Sequence, residues 1–533
     1  VGATAAMVSK AGLIGWVGLI VPHIVRRWLG SDAQRALPGS MLLGGLFVLA
    51  CDDVARTLLT GEIPLGILTS FAGAAASALA VSAFFVLSAC APAAGNQSAV
   101  ITIDPTETHQ TMRGWEASID FPDGSPQREQ FLAAKEIIFD KSVDEIGIDR
   151  LRLTIKSGAE NTMRAWDQYQ SGKIDYQQWR PLRYPTVNDN RDPNVINWAG
   201  FDFSEIDFLI EQQVLPMRER LADRGRRLFI NLCYVAFTKQ IERGSYIHDD
   251  PEEYAEFVLA TYLHLQDKYG FVPDSWEVIL EPDLVPQWTP KLIGKAIVAA
   301  AKRLEENGFT PNFVAPSVTN TANGPRFIEG ISRVDGAMKY VSELSYHRYQ
   351  KGSPENVAAI ARLGEKYDKP TAMLEFWFGR GNINVLFEDL TVGNVSSFQG
   401  RTLAGHFDLK ETKDGSLNVV MRRDARDNRR IYKYVRMGAV RIGADSSAGH
   451  IALAAAFINP DGSEIVSVRT LGAGELEFRG LNAGAYEFVF TPEKGKEPKP
   501  QTIMVGDDGR TRLSIAAKGV MTLAQRLPKG AKD

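Results

Sequence analysis

The chain has 533 residues, 44% of them hydrophobic and 23% charged, which is enough apolar side chain for several hydrophobic cores and two to four domains and excludes a disordered protein. A formal net charge of −4 supplies no basic field for a phosphate backbone and excludes nucleic acid as an expected partner. Cys51, Cys90 and Cys233 lie far apart with no C-x-x-C pair, and the seven histidines form no H-E-x-x-H or other paired motif, so no disulfide framework, metal or other cofactor is expected.

The first ninety residues read differently from the rest. No Lys or Arg occurs between Arg56 and Arg113, and the apolar run from Ile67 to Ala89 is long enough to cross a bilayer at the helical rise of ~1.5 Å per residue. An earlier candidate span, Met41 to Leu58, carries Asp52, Asp53 and Arg56, which are costly in lipid unless they face protein. Arg26, Arg27 and Arg35 before it mark a cytoplasmic loop. A hydrophobic, α-helical membrane segment is therefore expected ahead of a soluble region. The run VGLIVPHIVRR with Pro22 and His23, the Gly30-Ser31-Asp32 turn and the Glu62–Gly66 loop resemble the C-terminal end of permeases from iron-siderophore and cobalamin ABC importers, over residues 1–73. That resemblance implies contact between Val21–Arg35 and an ABC ATPase subunit, if the fragment functions, although most of the family's spanning helices are missing.

Residues 74–98 hold SALAVSAFFVLSAC followed by APAAGNQ, similar to the end of a bacterial lipoprotein signal, with Leu87-Ser88-Ala89-Cys90 as lipobox and Cys90 as the acylated residue. The alternative is an ordinary apolar helix ending in cysteine, since no positively charged region precedes it. A permease tail and a lipoprotein signal place the following chain on opposite sides of the membrane. The reading adopted is a junction near Gly73–Ser77, from gene fusion or sequence assembly, at which a permease tail replaces the start of a lipoprotein. The expected location is the bacterial cell envelope, membrane-associated through the N-terminal segment or a lipid anchor, with the remainder extracytoplasmic.

From Ala99 onward short apolar strands alternate with amphipathic helices, the pattern of an α/β fold with a parallel sheet. After the β-rich lead-in VITIDPTETHQ, the strand candidates are MRGWEASID, IDRLRLTI, RRLFINLCY, SWEVILEPDL, NFVAPSVT, YVSELSYHRY, KPTAMLEFW and VSSFQGRTLAGHF. Helices are predicted over Arg128–Gly147, Ser204–Arg224 and Pro251–Tyr269, the last opened by Asp-Asp-Pro-Glu-Glu. Eight such units predict a (β/α)8 TIM barrel, whose active sites form at the strands' C-terminal ends. Glu281 ends the fourth candidate strand and Glu375 the seventh. Either alone reads equally as a surface carboxylate. Together they supply the proton donor and nucleophile that retaining glycoside hydrolysis needs, one kept protonated and one ionised by differing environments. The long, polar stretch Gly158–Trp198 carries Trp166, Tyr169, Trp179 and Tyr184, which could wall a subsite.

The strings ITIDPTETHQTMRGWEAS, LEPD, LSYHRY, MLEFW and RRIYKYVRMGAVRIGADSS followed by AAAFINPDGSEIVSV resemble glycoside hydrolase family 30, in the clan with its acid/base after strand four and its nucleophile after strand seven. The resemblance implies a catalytic barrel over 112–435 and a side β-sandwich made of a lead-in strand, 99–111, and residues 436–533. It makes Glu281 the acid/base and Glu375 the nucleophile, puts Tyr349 and His347 beside the nucleophile and the sugar, and lets Arg152 orient the nucleophile. Trp377 and Trp115 become faces for a sugar ring, and Asn231 and Tyr234 complete the substrate-binding candidates. Core or rim packing is the plain alternative for the aromatics, and a barrel salt bridge for Arg152.

The family has Asn immediately before the acid/base, where it hydrogen-bonds the sugar 2-hydroxyl; this chain has Leu280. Either Asn231 or His347 substitutes, or the substrate differs there, or activity is lost. The C-terminal region alternates and turns at Asp461-Gly462 and Asp508-Gly509, as a brace for the barrel more than a sugar-binding module. The expected function is retaining hydrolysis of a β-linked oligo- or polysaccharide. A membrane-transport protein and a non-catalytic carbohydrate-binding lipoprotein are the alternatives.

Overall fold

The computed structural model describes residues 38, 40–46, 98–119, 127–412 and 415–527. The chain divides into two units, Val1–Gly95 and Asn96–Asp533. In the first, the described residues form a short helical stretch at 40–46. No helix among the described residues is long and apolar enough to cross a membrane. The apolar run Ile67–Ala89, most of the span Met41–Leu58 and Cys90 lie outside the described residues.

The second unit opens with β1 (Ser98–Thr111), followed by eight strands that pair in parallel in chain order: β2 (Glu116–Ser118), β3 (Arg150–Lys156), β4 (Phe229–Val235), β5 (Ser275–Glu277), β6 (Phe313–Asn320), β7 (Val341–Gln350), β8 (Thr371–Glu375) and β9 (Val395–Phe398). Parallel bridges Trp115–Phe398 and Ser118–Thr402 bring the last strand back to the first, so the sheet curls into a barrel. The helices between strands are α1 (Gln127–Lys141), α2 (Ser204–Leu209), α3 (Leu215–Ala222), α4 (Pro251–Tyr269), α5 (Pro290–Glu306), α6 (Gly324–Ser332), α7 (Pro354–Tyr367), α8 (Ile383–Thr391) and α9 (Arg423–Tyr432). Three of them start on the same local chemistry: the side chains of Asp250, Thr289 and Ser353 each accept from a first-turn N–H, and proline follows at the next position.

Strand β3 shows how the sequence builds the barrel. In Arg-Leu-Arg-Leu-Thr-Ile-Lys all seven residues are buried, the apolar ones on one face and the polar ones on the other. Leu151, Leu153 and Ile155 join the main apolar core, while Arg150 and Arg152 turn into the barrel. Arg150 is fully buried. It donates from Nε to Glu116 (2.6 Å) and from both terminal nitrogens to Glu343 (2.8 and 2.7 Å). Asn231 bridges Glu116 and Glu277 at 3.3 and 3.0 Å, and Gln399 donates to the other oxygen of Glu116 at 2.7 Å. Burial raises the Glu116 carboxyl, opposed by Arg150 and Arg152, while Arg150 itself is held charged because Glu343 and Glu116 outweigh its own desolvation.

The first and last barrel strands are shorter than their sequence segments. In the last, the chain leaves the ladder after Phe398, where Gly400 backs directly onto Gly381, and Ala404–His406 forms a 3-10 turn. A hairpin, β10 (Phe407–Glu411) with β11 (Leu417–Met421), follows. The remaining strands are β12 (Val440–Ser446), β13 (Ala452–Ile458), β14 (Glu464–Thr470), β15 (Gly474–Arg479), β16 (Gly484–Pro492), β17 (Gln501–Val505), β18 (Thr511–Ile515) and β19 (Gly519–Arg526). With β1 these eight form one nine-stranded sheet in the order β17-β16-β19-β14-β13-β12-β1-β15-β18. Val505 and Tyr486 near one edge share an apolar core with Leu513 and Ile515 at the other, so the sheet folds across its own face. In hydrogen-bonding terms the sandwich expected from the sequence is a single curled sheet.

Replacing Arg150 with Met takes from the buried Glu116 and Glu343 their shared, closest cation, leaving Glu343 only the 3.8 Å contact with Arg113, and is expected to cost about 3–5 kcal/mol in urea unfolding. Adding Glu343→Leu should return part of that loss, because it removes one of the two stranded carboxyls and fills its space with apolar side chain, while Glu116 remains. Equal stability of the single variant and the wild type would show that the buried pair holds nothing together.

Candidate active site

Glu375 is the last residue of β8, the seventh barrel strand, and Glu281 lies four residues beyond β5, the fourth. The chain between β5 and Glu281 stays tied to its neighbours: Leu280 N–H donates to Tyr234 C=O and Glu281 N–H to Ser317 C=O. Glu281 has φ 51°, a left-handed conformation uncommon for a residue with a side chain. One carboxylate oxygen of each glutamate and a ring nitrogen of His347 lie within 4.8 Å of one another. Such a set could hold a divalent cation; sequence spacing does not show it, because the three residues come from three strands.

The two carboxylates sit in different surroundings. Glu375 is 6% exposed, pairs with the fully buried Arg152 and accepts from Tyr349 Oη at 2.9 Å. Burial and the Glu375 charge push the Tyr349 phenol well up, so it stays a donor. Glu281 faces His347 Nδ1 at 3.0 Å. Burial alone would raise its carboxyl, but the hydrogen bond and charge of His347 outweigh it and hold Glu281 below the usual range. Conversely, His347 is raised: burial disfavours its charge, and Glu281 and Glu375 overcome that. These opposite shifts favour a carboxylate at Glu281 and a charged imidazole at His347 across their contact. His347 Nε2 is buried without a hydrogen-bond partner.

Trp377 borders the cavity. Its indole Nε1 donates to Gln399 at 2.8 Å, its backbone N–H to Tyr349 Oη at 3.2 Å, and the Arg152 guanidinium lies 5.6 Å from its ring centroid. Three expected contacts fail. Trp115 is fully buried, stacked on Tyr432 at 4.4 Å with Nε1 bonded to Val435 C=O, so it closes the barrel and offers no sugar face. Asn231 is consumed by Glu116, Glu277 and Ser275 and cannot replace the missing asparagine. Tyr234 points outward, packed against Tyr254 and Phe257 of α4 and bonded to His248 at 2.7 Å. His347, the other substitute, is fully buried.

A cavity of about 670 Å³ opens beside the two glutamates. On the Glu281 side its wall is apolar: Leu280 packs with Tyr184, Cys233 and Val235. Further out, Trp166 and Trp179 line it, 5.2 Å apart, with Tyr169 stacked behind on Trp179. The loop Gly158–Trp198 therefore does wall the site. Sequence reasoning missed Lys156, Arg401 and Phe378, which also line the cavity. Lys156 shares the inward parity of Arg150 and Arg152 and was discoverable from it; the other two sit on irregular turns that carry no periodic signal.

Comparison with known proteins separates the two units. Residues 1–80 match the FecCD transport family. The cobalamin import permease BtuC of Halobacterium salinarum is 56% identical over 71 residues, 13% of this chain and 19% of that protein. The molybdate import permease MolB of Haemophilus influenzae is 49% identical over 70 residues, 13% of this chain and 21% of that protein. The chain thus spans about a fifth of the length of the curated relatives it matches. The rest has other neighbours. The catalytic domain of GH30 xylanase C from Talaromyces cellulolyticus superposes with a TM-score of 0.58 at 14% identity, over 80% of this chain and 100% of that one. The barrel and its sheet share the GH30 fold. The GH30 subfamily 8 xylanase Xyn30A from Clostridium acetobutylicum (TM-score 0.55, 16% identity, 80% of this chain and 99% of that one) and the endo-beta1,6-glucanase BT3312 (0.55, 13%, 82% and 96%) superpose similarly. At these identities the likeness is one of fold.

The Glu281–His347 pair has a pH signature. The lowered carboxyl contributes stability that is present above its ordinary value of 4.5 and is lost as pH falls through the folded value. The raised imidazole contributes stability that is full below its ordinary 6.5 and is lost as pH rises through the folded value. The stability advantage of wild type over His347→Gln should therefore be largest between pH 4.5 and 6.5 and shrink on either side. A difference that does not change with pH would show that the pair does not share a proton.

Proposed function

We propose that residues 99–533 form a retaining glycoside hydrolase acting on a β-linked oligo- or polysaccharide, with Glu375 as nucleophile and Glu281 as general acid/base. The observation that carries this is the approach of the two carboxylates, within 4.8 Å at their nearest oxygens. A retaining pair lies ~5–5.5 Å apart, whereas an inverting pair is held ~6.5–9.5 Å apart to admit a water. The GH30-like fold supports the glycosidase class, and the differing partners of the two carboxylates support the division of roles.

In the first step a Glu375 oxygen attacks the anomeric carbon as the bond to the leaving oxygen breaks, and Glu281 gives that oxygen a proton. Arg152 and Tyr349 hold Glu375 aimed, and their bonds weaken as its charge passes into the glycosyl ester. The proton reaches Glu281 from His347 Nδ1 along their 3.0 Å contact once a substrate displaces water from the cavity. In the second step Glu281 takes a proton from water, the hydroxide attacks the anomeric carbon, and Glu375 leaves. No metal enters either step. Membrane attachment through the N-terminal segment, with the barrel outside the cytoplasm, is the location this function requires for a polymeric substrate.

One observation favours a second reading, a carbohydrate-binding protein without hydrolysis: neither Asn231 nor His347 offers the 2-hydroxyl contact that Leu280 cannot make. The wild-type protein on a panel of aryl β-glycosides and polysaccharides decides between them. Under the catalytic reading Glu281→Gln and Glu375→Gln each lower kcat by at least ~10³-fold, EDTA has no effect, and proton NMR shows the first-formed sugar with the substrate's anomeric configuration. An inverted first product would overturn the double displacement, and activity surviving both substitutions would place the site elsewhere.

A further inference from the structure

Among the described residues, the most exposed large apolar side chain is Phe378, 79% exposed, and it lies on the rim of the same cavity as Glu281 and Glu375. Its backbone is also unusual, with φ 60°. For a bulky aromatic residue that left-handed region is a steric outlier, whereas glycine would occupy it freely. Phenylalanine here carries conformational strain and recovers nothing by burial. A residue that is strained and exposed beside a reactive centre is one whose conformation serves a ligand.

The turn that presents it is fixed. Gly381 N–H returns to Phe376 C=O at 2.8 Å, and Asn428 Nδ2 of α9 donates to Gly381 C=O at 2.9 Å. A Cβ on Gly381 would come within 2.6 Å of the Gly400 Cα, so the base of the turn is pressed against the chain that follows β9. Trp377 is anchored inward by Gln399 and lies beside Arg152, the partner of Glu375. The Phe378 ring stands 6.4 Å from the Trp377 ring at 72°, edge to face, and both residues line the cavity. Two consecutive aromatic residues thus line the cavity beside Glu281 and Glu375, one anchored by Gln399 and one exposed.

We propose that Phe378 is the stacking platform for the sugar residue adjoining the one held at Glu281 and Glu375, so that the preferred substrate is a chain of at least two sugars and not a monoglycoside. This rests on the glycosidase reading and extends it to substrate length. The flat apolar face of a pyranose covers the Phe378 ring, which gives that ring the burial the free protein withholds.

The test compares wild type with Phe378→Ala, Phe378→Trp and Phe378→Gly on 4-nitrophenyl monoglycosides and on oligosaccharides of two to six units of the same sugar. For Ala and Gly the rise in KM on the oligosaccharides should exceed that on the monoglycosides by about tenfold, with kcat much less affected, and Trp should restore it. Phe378→Gly should also raise Tm by about 1–2 °C, since it relieves the strained φ; a residue with a structural role would lose stability instead. Equal changes on both substrate lengths, or none on either, would overturn the platform while leaving the glycosidase intact. If wild type hydrolyses nothing, calorimetric binding of the same oligosaccharides takes over: weaker binding by Phe378→Ala supports the platform without catalysis, and unchanged or absent binding overturns it.

Discussion

A guanidinium with no access to water organises the barrel. Arg150 cannot be left unpaired, since an isolated buried charge costs several kcal/mol, so the strands must meet in the one register that brings Glu116 and Glu343 to it. Asn231 and Gln399 then satisfy what remains of Glu116, which ties β2, β3, β4 and β7 and the residue after β9 into one polar layer. Everything above that layer inherits its height. Arg152, two residues along the same strand and on the same face, rises to meet Glu375, and Lys156 reaches the cavity. Gln399 joins the two levels, holding Glu116 with its amide and Trp377 with its carbonyl.

The asymmetry between the two carboxylates follows from this layering. Glu375 meets a guanidinium that is always charged and a phenol pushed up by burial, so both of its partners stay donors. Glu281 meets a histidine whose own charge depends on it, and the two titrate as a coupled unit. The chemistry assigned to each matches its partner. A nucleophile needs a fixed negative charge, and an acid/base needs a proton that can move.

Much of this was legible in the sequence, and the errors have a common origin. The eight strands are readable because each is a short apolar run bounded by turn residues, and the glutamates stand out because they end two of them. Alternation gives the face a residue occupies but not its depth along the barrel. Asn231 is on the inward face and still lies at the floor; the cavity is reached only four residues further along the strand, at Val235. Tyr234, next to it in the chain, takes the outward face and packs on α4. Trp115 looks like a sugar platform from its neighbours in the sequence, yet the bridge to Phe398 makes it part of the seam. The aromatic wall of Trp166 and Trp179 could be suspected from composition, but the strained turn at Phe378 has no signature short of its backbone angle.

The place of β1 in the nine-stranded sheet sets an order of events in the life of the chain. Its partners are β12 and β15, so Ile101 must find Ser446 and Phe478 across the whole barrel sequence. A ribosome has to pass residue 440 before that first strand has a partner, and contacts of such separation form slowly. Until then the segment following residue 97 has no partner for either edge. Once β12 and β15 arrive, the same segment is locked between two neighbours and ties residues 98–111 into the sheet built from residues 440–526.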